Sequence, residues 1–225
     1  MSAAELKPCR EPADVVGDIE RYLGDRDPTA RYASFDYCFN FFQSHRERDD
    51  VAALASPVTM ELACLHLGFY LASWGMLRGS TDLLQRSIKN FEGVIEAIAE
   101  APAALWQIDA NDYGEEAWPV IRDFRDRLRI ALPNKTSDIL VTKIMLGVFG
   151  CVPAFDTNFK IGAGLSTFGQ NALRRVERFY REHAELIERY RVPTLAFAGG
   201  GTTTRHYSRA KVIDMIFYIE GSEGE

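Results

Sequence analysis

The 225-residue chain has little cysteine and histidine and no long uninterrupted apolar run, and each shortage removes a class of protein. Its four cysteines, Cys9, Cys38, Cys64 and Cys151, are scattered without a CxxC pair, and no histidine stands at ligand spacing from them. They read as buried free thiols of a reducing compartment rather than as a disulfide framework or a metal site. The most apolar stretch, Leu62 to Leu77, contains His66, is flanked by Glu61 and Arg78, and is shorter than the roughly 20 residues a membrane span takes. It reads as a core helix, and no membrane partner is expected. Met1 to Cys9 lacks a basic start followed by an apolar run, so no signal peptide is read and a cytoplasmic location is expected. Neither GxGxxG nor GxxxxGK[ST] is present, no internal repeat stands out, and no metal or cofactor is expected.

What the chain does have is apolar and charged material in quantity. With 47% hydrophobic and 12% aromatic residues it can bury a substantial core. The expected architecture is all-α, a multi-helix globule forming one domain over residues 1–225, with candidate lobes 1–114 and 115–225. Charge is uneven: 26 Lys and Arg face 32 Asp and Glu overall, but residues 160 to 211 hold ten basic and four acidic residues, leaving 16 against 28 elsewhere. That asymmetry directs any anionic ligand to the C-terminal third, although an arginine-rich solvated helix face has the same composition.

Helical spacing runs through most of the chain. Pro12 to Gly24 places Val15, Val16, Ile19, Tyr22 and Leu23 on one face. Arg31 to His45 carries Tyr32, Phe35, Phe39 and Phe42, an aromatic stripe that suits a core and also suits base stacking or a protein partner. Ser56-Pro57 reads as the start of the Leu62 to Leu77 helix. Ser80, Thr81 and Asp82 are read as caps for the cleanest periodic stripe, Leu84, Ile88, Phe91, Ile95 and Ile98. Asp109, Asn111 and Asp112 form either an Asx-rich turn or a cation site. Trp118, Ile121, Phe124 and Leu128 mark an amphipathic helix whose arginines alternate with aspartates. One long helix is expected from Ser166 or Thr167 to about Arg191. A brief strand near Leu195 then leads into a Gly/Thr loop, residues 198 to 205, which reads as a plain connector or as a source of phosphate-binding backbone donors before a last helix, Tyr207 to Glu220.

The stretch from Leu132 to Lys160 organises the rest. Asn134, Thr136 and Ser137 are candidate caps for a helix apolar on most sides, carrying Ile139, Leu140, Ile144, Leu146 and Val148, which therefore belongs in the middle of the fold. Pro153 stops the chain from continuing as helix and Asp156-Thr157-Asn158 follows. Leu132-Pro133, then Phe149-Gly150, then Pro153 to Asn158 resembles the catalytic core of the helix-hairpin-helix DNA glycosylases. Asn134-Lys135-Thr136 stands where that family has hairpin glycines, and its iron–sulfur cysteines are missing. The resemblance implies a nucleic acid or nucleotide as partner and base excision with Asp156 as the catalytic carboxylate. It makes Lys135 the candidate amine nucleophile, ahead of Lys143. Asn158, Lys143, Arg205, Arg209 and Lys211 are the expected binding residues, with Asp156 on one side of a cleft and the last three on the other. The alternatives are an inactive glycosylase-like scaffold and a helical protein-interaction module. For Asp156 itself, helix capping competes with catalysis.

Overall fold

The computed structural model describes residues 7–79, 81–132 and 136–223. Within them the helices are α1 (Val15–Gly24), α2 (Ala33–Glu47), α3 (Met60–Ser73), α4 (Glu92–Ala99), α5 (Ala117–Ala131), α6 (Asp138–Phe149), α7 (Thr157–Ala163), α8 (Gln170–Glu182), α9 (Ala184–Arg189) and α10 (Arg209–Ser222). Strands β1 (Pro193–Leu195) and β2 (Thr202–His206) form one antiparallel hairpin pairing Pro193 with His206 and Leu195 with Thr202. The fold is thus an all-α multi-helix globule with a small β ornament. No helix among the described residues is long and apolar enough to cross a membrane.

The central helix sits where its composition demands. Ser137 caps α6 by accepting the Leu140 N–H, and every residue from Leu140 to Phe149 is buried. Gly150 ends it in the left-handed region at φ 67°, its N–H returning to Met145 and Leu146 carbonyls. A buried helix end must still satisfy its last carbonyls, and side chains do so: Gln43 donates to Val148 O at 2.8 Å and Tyr113 to Cys151 O at 2.8 Å. Gly147 serves a close approach, since a Cβ there would lie 2.4 Å from the Tyr70 ring of α3.

The second buried element is α10, not the Leu62 to Leu77 helix. Helix α3 covers the core with one face only, leaving Leu62, Leu65 and Phe69 exposed on the other, whereas α10 is buried from Ala210 to Phe217 despite carrying Lys211 and Asp214. Helix α10 crosses α7 backbone to backbone: a Cβ on Gly221 would lie 1.9 Å from Asn158 O and one on Gly162 2.2 Å from Phe217 O.

Three other expectations give way. The stripe from Leu84 to Ile98 is divided between 3-10 turns Asp82–Gln85 and Ile88–Phe91 and helix α4, because Arg86 and Ser87 take extended backbone between them. The apolar spacing survives because Ile88 and Phe91 pack beneath Gly68 of α3. The helix expected to run unbroken to Arg191 bends at His183, whose ring packs on Phe179 at 4.4 Å and pairs with Glu11 at 3.1 Å. Pro57 lies in a turn ahead of α3, whose first residue is Met60.

Truncating Ile144, fully buried in α6, to Ala should cost about 2–5 kcal/mol in chemical denaturation, and Gly162→Ala about 1–3 kcal/mol because backbone rather than a side chain blocks the added methyl. Asp18 gives a pH test. It is buried with one carboxylate oxygen unpartnered, and burial, then Glu220 and Asp14, push its carboxyl from 3.8 up to about 6. The folded state therefore holds more protons than the unfolded one between about pH 4 and 6, and wild-type stability falls as pH rises through that window. Asp18→Asn should exceed wild type by roughly 0.5–1 kcal/mol at pH 7 and lose that advantage by about pH 4, read from urea midpoints.

Candidate functional site

The aspartate singled out by sequence is held by the core behind it. After Gly150 the buried segment 151–155 runs back along α6 toward α10. The Ala154 N–H donates to Asp214 Oδ1 at 2.9 Å and the Phe155 N–H to Thr142 Oγ1 at 2.9 Å. Thr142 has its own hydroxyl proton committed to Asp138 O at 2.7 Å, so its oxygen is left to accept. With both preceding amides fixed, Asp156 takes the cap position of α7, accepting the Phe159 N–H on Oδ1 at 3.0 Å. Oδ2 accepts from Lys143 Nζ at 2.9 Å. Capping and ion pairing thus fall on one carboxylate, which still borders open space.

That space is a pocket of about 400 Å³, within the ~300–1,000 Å³ typical of ligand sites. Asp156 and Lys143 form its floor, Trp74 and Tyr218 a wall, and Arg31, Arg78, Thr157 and Asn158 its rim. Lys143 is 4% exposed, and its ammonium also lies 5.3 Å from the centre of the Trp74 ring. Tyr218 meets Trp74 edge-on at 5.5 Å and accepts an N–H from Arg31 at 2.7 Å. Burial pushes the Tyr218 phenol up, against the opposing pull of Arg31. Asn158 enters through the first turn of α7.

Compared with known proteins, the chain matches no family model, no curated protein and no solved structure. The site is read from its own geometry.

Of the expected site residues, the structure brings together Asp156, Lys143 and Asn158. Lys135 lies outside the described residues, as do Pro133 and Asn134 of the hairpin opening. Arg205, Arg209 and Lys211 do not line this pocket, because each is engaged internally. Arg205 grips Glu47 through two nitrogens at 2.9 and 2.6 Å and reaches Asn40 at 2.6 Å, drawing the Glu47 carboxyl below its ordinary value. Arg209 lies between Glu188 at 2.5 Å and Asp109 at 3.4 Å. Lys211 is 1% exposed, donates to Tyr22 OH at 2.8 Å and Asp214 at 3.1 Å, and faces the Tyr22, Phe35 and Trp74 rings. Burial pushes the Lys211 ammonium down and the Asp214 carboxyl up, each opposed by the other's charge. A cleft with these three cations opposite Asp156 is not formed.

Of the two readings of residues 198–205, the connector fits the structure. Its threonines form β2 and its glycines the turn, with Gly199 and Gly200 in the left-handed region. The N-terminus of α10 is already occupied by a carboxylate, since Asp109 accepts the Arg209 N–H at 2.9 Å and the Ala210 N–H at 2.8 Å. The same bonds settle Asp109 as a structural acceptor, and no cluster of three or more potential metal ligands occurs among the described residues.

The other residues flagged by sequence are structural. Tyr32, Phe35, Phe39 and Phe42 are core, so the aromatic stripe is not an exposed platform. His66 stacks on Phe41 at 4.2 Å, with burial pushing its imidazole down. All four thiols are free and buried, Cys9 pushed up to about 12 and Cys64 to about 11, far from the thiolate that reactivity needs. What sequence reading missed is Arg31, Arg78, Trp74 and Tyr218. They come from three separate segments, Trp74 and Arg78 sharing the turn after α3, and carry no spacing signal across the chain; the Trp74-Gly75 step at the end of an apolar helix is the nearest to one.

The pair should respond asymmetrically to mutation. Asp156→Ala removes a cap and leaves a buried ammonium without its partner, for an expected loss of about 3–5 kcal/mol, whereas Lys143→Met fills the same volume and leaves Asp156 its backbone bond, for less than about 2 kcal/mol. Equal losses in chemical denaturation would contradict this.

Proposed function

We propose that the protein binds a nucleic acid or nucleotide at the Lys143–Asp156 pocket and removes a base there by hydrolysis of the glycosidic bond. One observation carries the reading: a carboxylate beside an ammonium floors a pocket with an aromatic wall and two arginines at its rim. Each part has a matching role. Trp74 and Tyr218 offer ring faces to a base withdrawn from its stack, Arg31 and Arg78 suit a phosphate, and Asp156 offers negative charge to a sugar that becomes oxocarbenium-like. Water oxygen bonds to the anomeric carbon as the bond to the base breaks, and the base leaves with a proton. Lys143 holds Asp156 in place for that step. The resemblance of residues 132–160 to the helix-hairpin-helix glycosylases adds support, since α5, a short connection and buried α6 precede the aspartate in that order.

A scaffold that binds without excising is the second reading, favoured by the engagement of both Asp156 oxygens. Asp156→Asn separates the two, because asparagine keeps an oxygen to accept the cap bond. Excision from damaged or mismatched strands should fall at least about a hundredfold while binding changes little. Replacing Arg31 and Arg78 by Ala should instead weaken binding and flatten its salt dependence. Wild-type excision persisting in Asp156→Asn contradicts the catalytic assignment, and binding without excision by wild type leaves the scaffold.

A further inference from the structure

Beside the pocket the surface opens into a larger depression of about 680 Å³ between the start of α2, the outer face of α3 and the tip of the β hairpin. Leu62, Leu65 and Phe69 stand 49%, 45% and 69% exposed along one face of α3, and Phe197 of the hairpin is 83% exposed. Single exposed apolar side chains are ordinary, but four around one depression mark a binding surface. Its aromatic part is held rather than loose: Phe197 meets Tyr37 edge-on at 5.1 Å, and the Tyr37 hydroxyl donates to Pro28 O at 2.8 Å.

Two features say what covers it. Arg31 and Ser73 line both this groove and the Asp156 pocket, so the two depressions adjoin. Their combined lining carries Arg31, Arg78 and Lys143 against a single carboxylate, Asp156, in a chain of net charge −6. The occupant is therefore an anion with flat apolar faces, long enough to lie in both. We infer, resting on the function proposed above, that the substrate is a single-stranded nucleic acid: bases flanking the one held at Asp156 stack on Phe69 and Phe197, and the phosphate between them passes Arg31. A free ring takes only a base whose faces are open, and a duplex keeps its faces covered. Arg31 gives one N–H to Tyr218 and is held over the Tyr32 and Trp74 rings, which leaves part of its five-donor fork for phosphate. A peptide or a second copy of the chain would cover the phenylalanines but make no use of the cations next door.

The test titrates wild type and a Phe69→Ala/Phe197→Ala variant with a fluorescein-labelled thymine-rich single strand, and with the same strand in duplex, by anisotropy, with sedimentation velocity on both proteins. Both side chains are exposed, so the variant should fold, which circular dichroism checks. Wild type should prefer the single strand, and the variant should lose about tenfold or more of that affinity, the scale of one or two stacked bases. Equal affinity for strand and duplex, no single-strand binding, unchanged affinity in the variant, or a wild-type dimer abolished by the variant would each overturn the inference. An excision assay on the same strands carrying a damaged base keeps the two claims apart. Single-strand binding that depends on the phenylalanines without excision upholds this groove and removes the chemistry, while excision from duplex by both proteins upholds the chemistry and removes the groove.

Discussion

The ion pair between Lys143 and Asp156 is the constraint around which the centre of the molecule is arranged. Helix α6 is buried on nearly all sides, so a lysine in its middle must either find a counter-charge or forfeit its solvation. The counter-charge comes from the cap of α7, and the chain between the two helices is set to deliver it. Thr142, one residue before the lysine, fixes the amide of Phe155, one residue before the aspartate. Asp214, from α10, fixes the amide of Ala154. The close α7–α10 crossing at Gly162 and Gly221 then sets the depth at which Asp214 arrives. Capping, ion pairing and glycine packing are thus one system, and the pocket is the part of it that faces out.

A second buried pair, Lys211 with Asp214, accounts for the distribution of charge. The basic C-terminal third suggests an anion-binding face, but the three cations expected to form it, Arg205, Arg209 and Lys211, are engaged by partners within the molecule. Arg205 fastens the hairpin to α2 through Glu47, Arg209 fastens α10 to the Asp109 turn and to Glu188, and Lys211 sits beneath Tyr22 and Trp74. Positive charge that borders open space is provided instead by Arg31 and Arg78, from a part of the chain that is acidic in sum. Net charge over a sequence window records composition, while availability depends on which carboxylates fold back onto which cations.

This division explains what was legible in the sequence. The α6 helix was, because its apolar residues cover every side and its start and end carry Ser137 and Gly150. The dual character of Asp156 was half legible: the step after Pro153 announces a cap, and the Lys143 partner 13 residues earlier depends on the return of the chain along α6. Helix α10 reads as an ordinary last helix, since nothing in its spacing shows that Lys211 pairs with Asp214 inside the core. Conversely, the Leu62 to Leu77 stretch reads as core on hydropathy alone, and only the packing shows that Leu62, Leu65 and Phe69 face outward. Arg31, the Trp74–Arg78 turn and Tyr218 meet through tertiary structure, which no local spacing encodes.

The site proposed for an anionic ligand is the junction of α6 and α7, not the basic C-terminal loop. Amide and indole chemical-shift mapping of wild-type protein titrated with a thymine-rich oligonucleotide tests it most directly. Shifts should concentrate at Arg31, Ser73 to Arg78 with the Trp74 indole N–H, and Thr157 and Asn158. Shifts confined to the hairpin and the start of α10, around Arg205 and Arg209, or none at all at the α6–α7 junction, would contradict it.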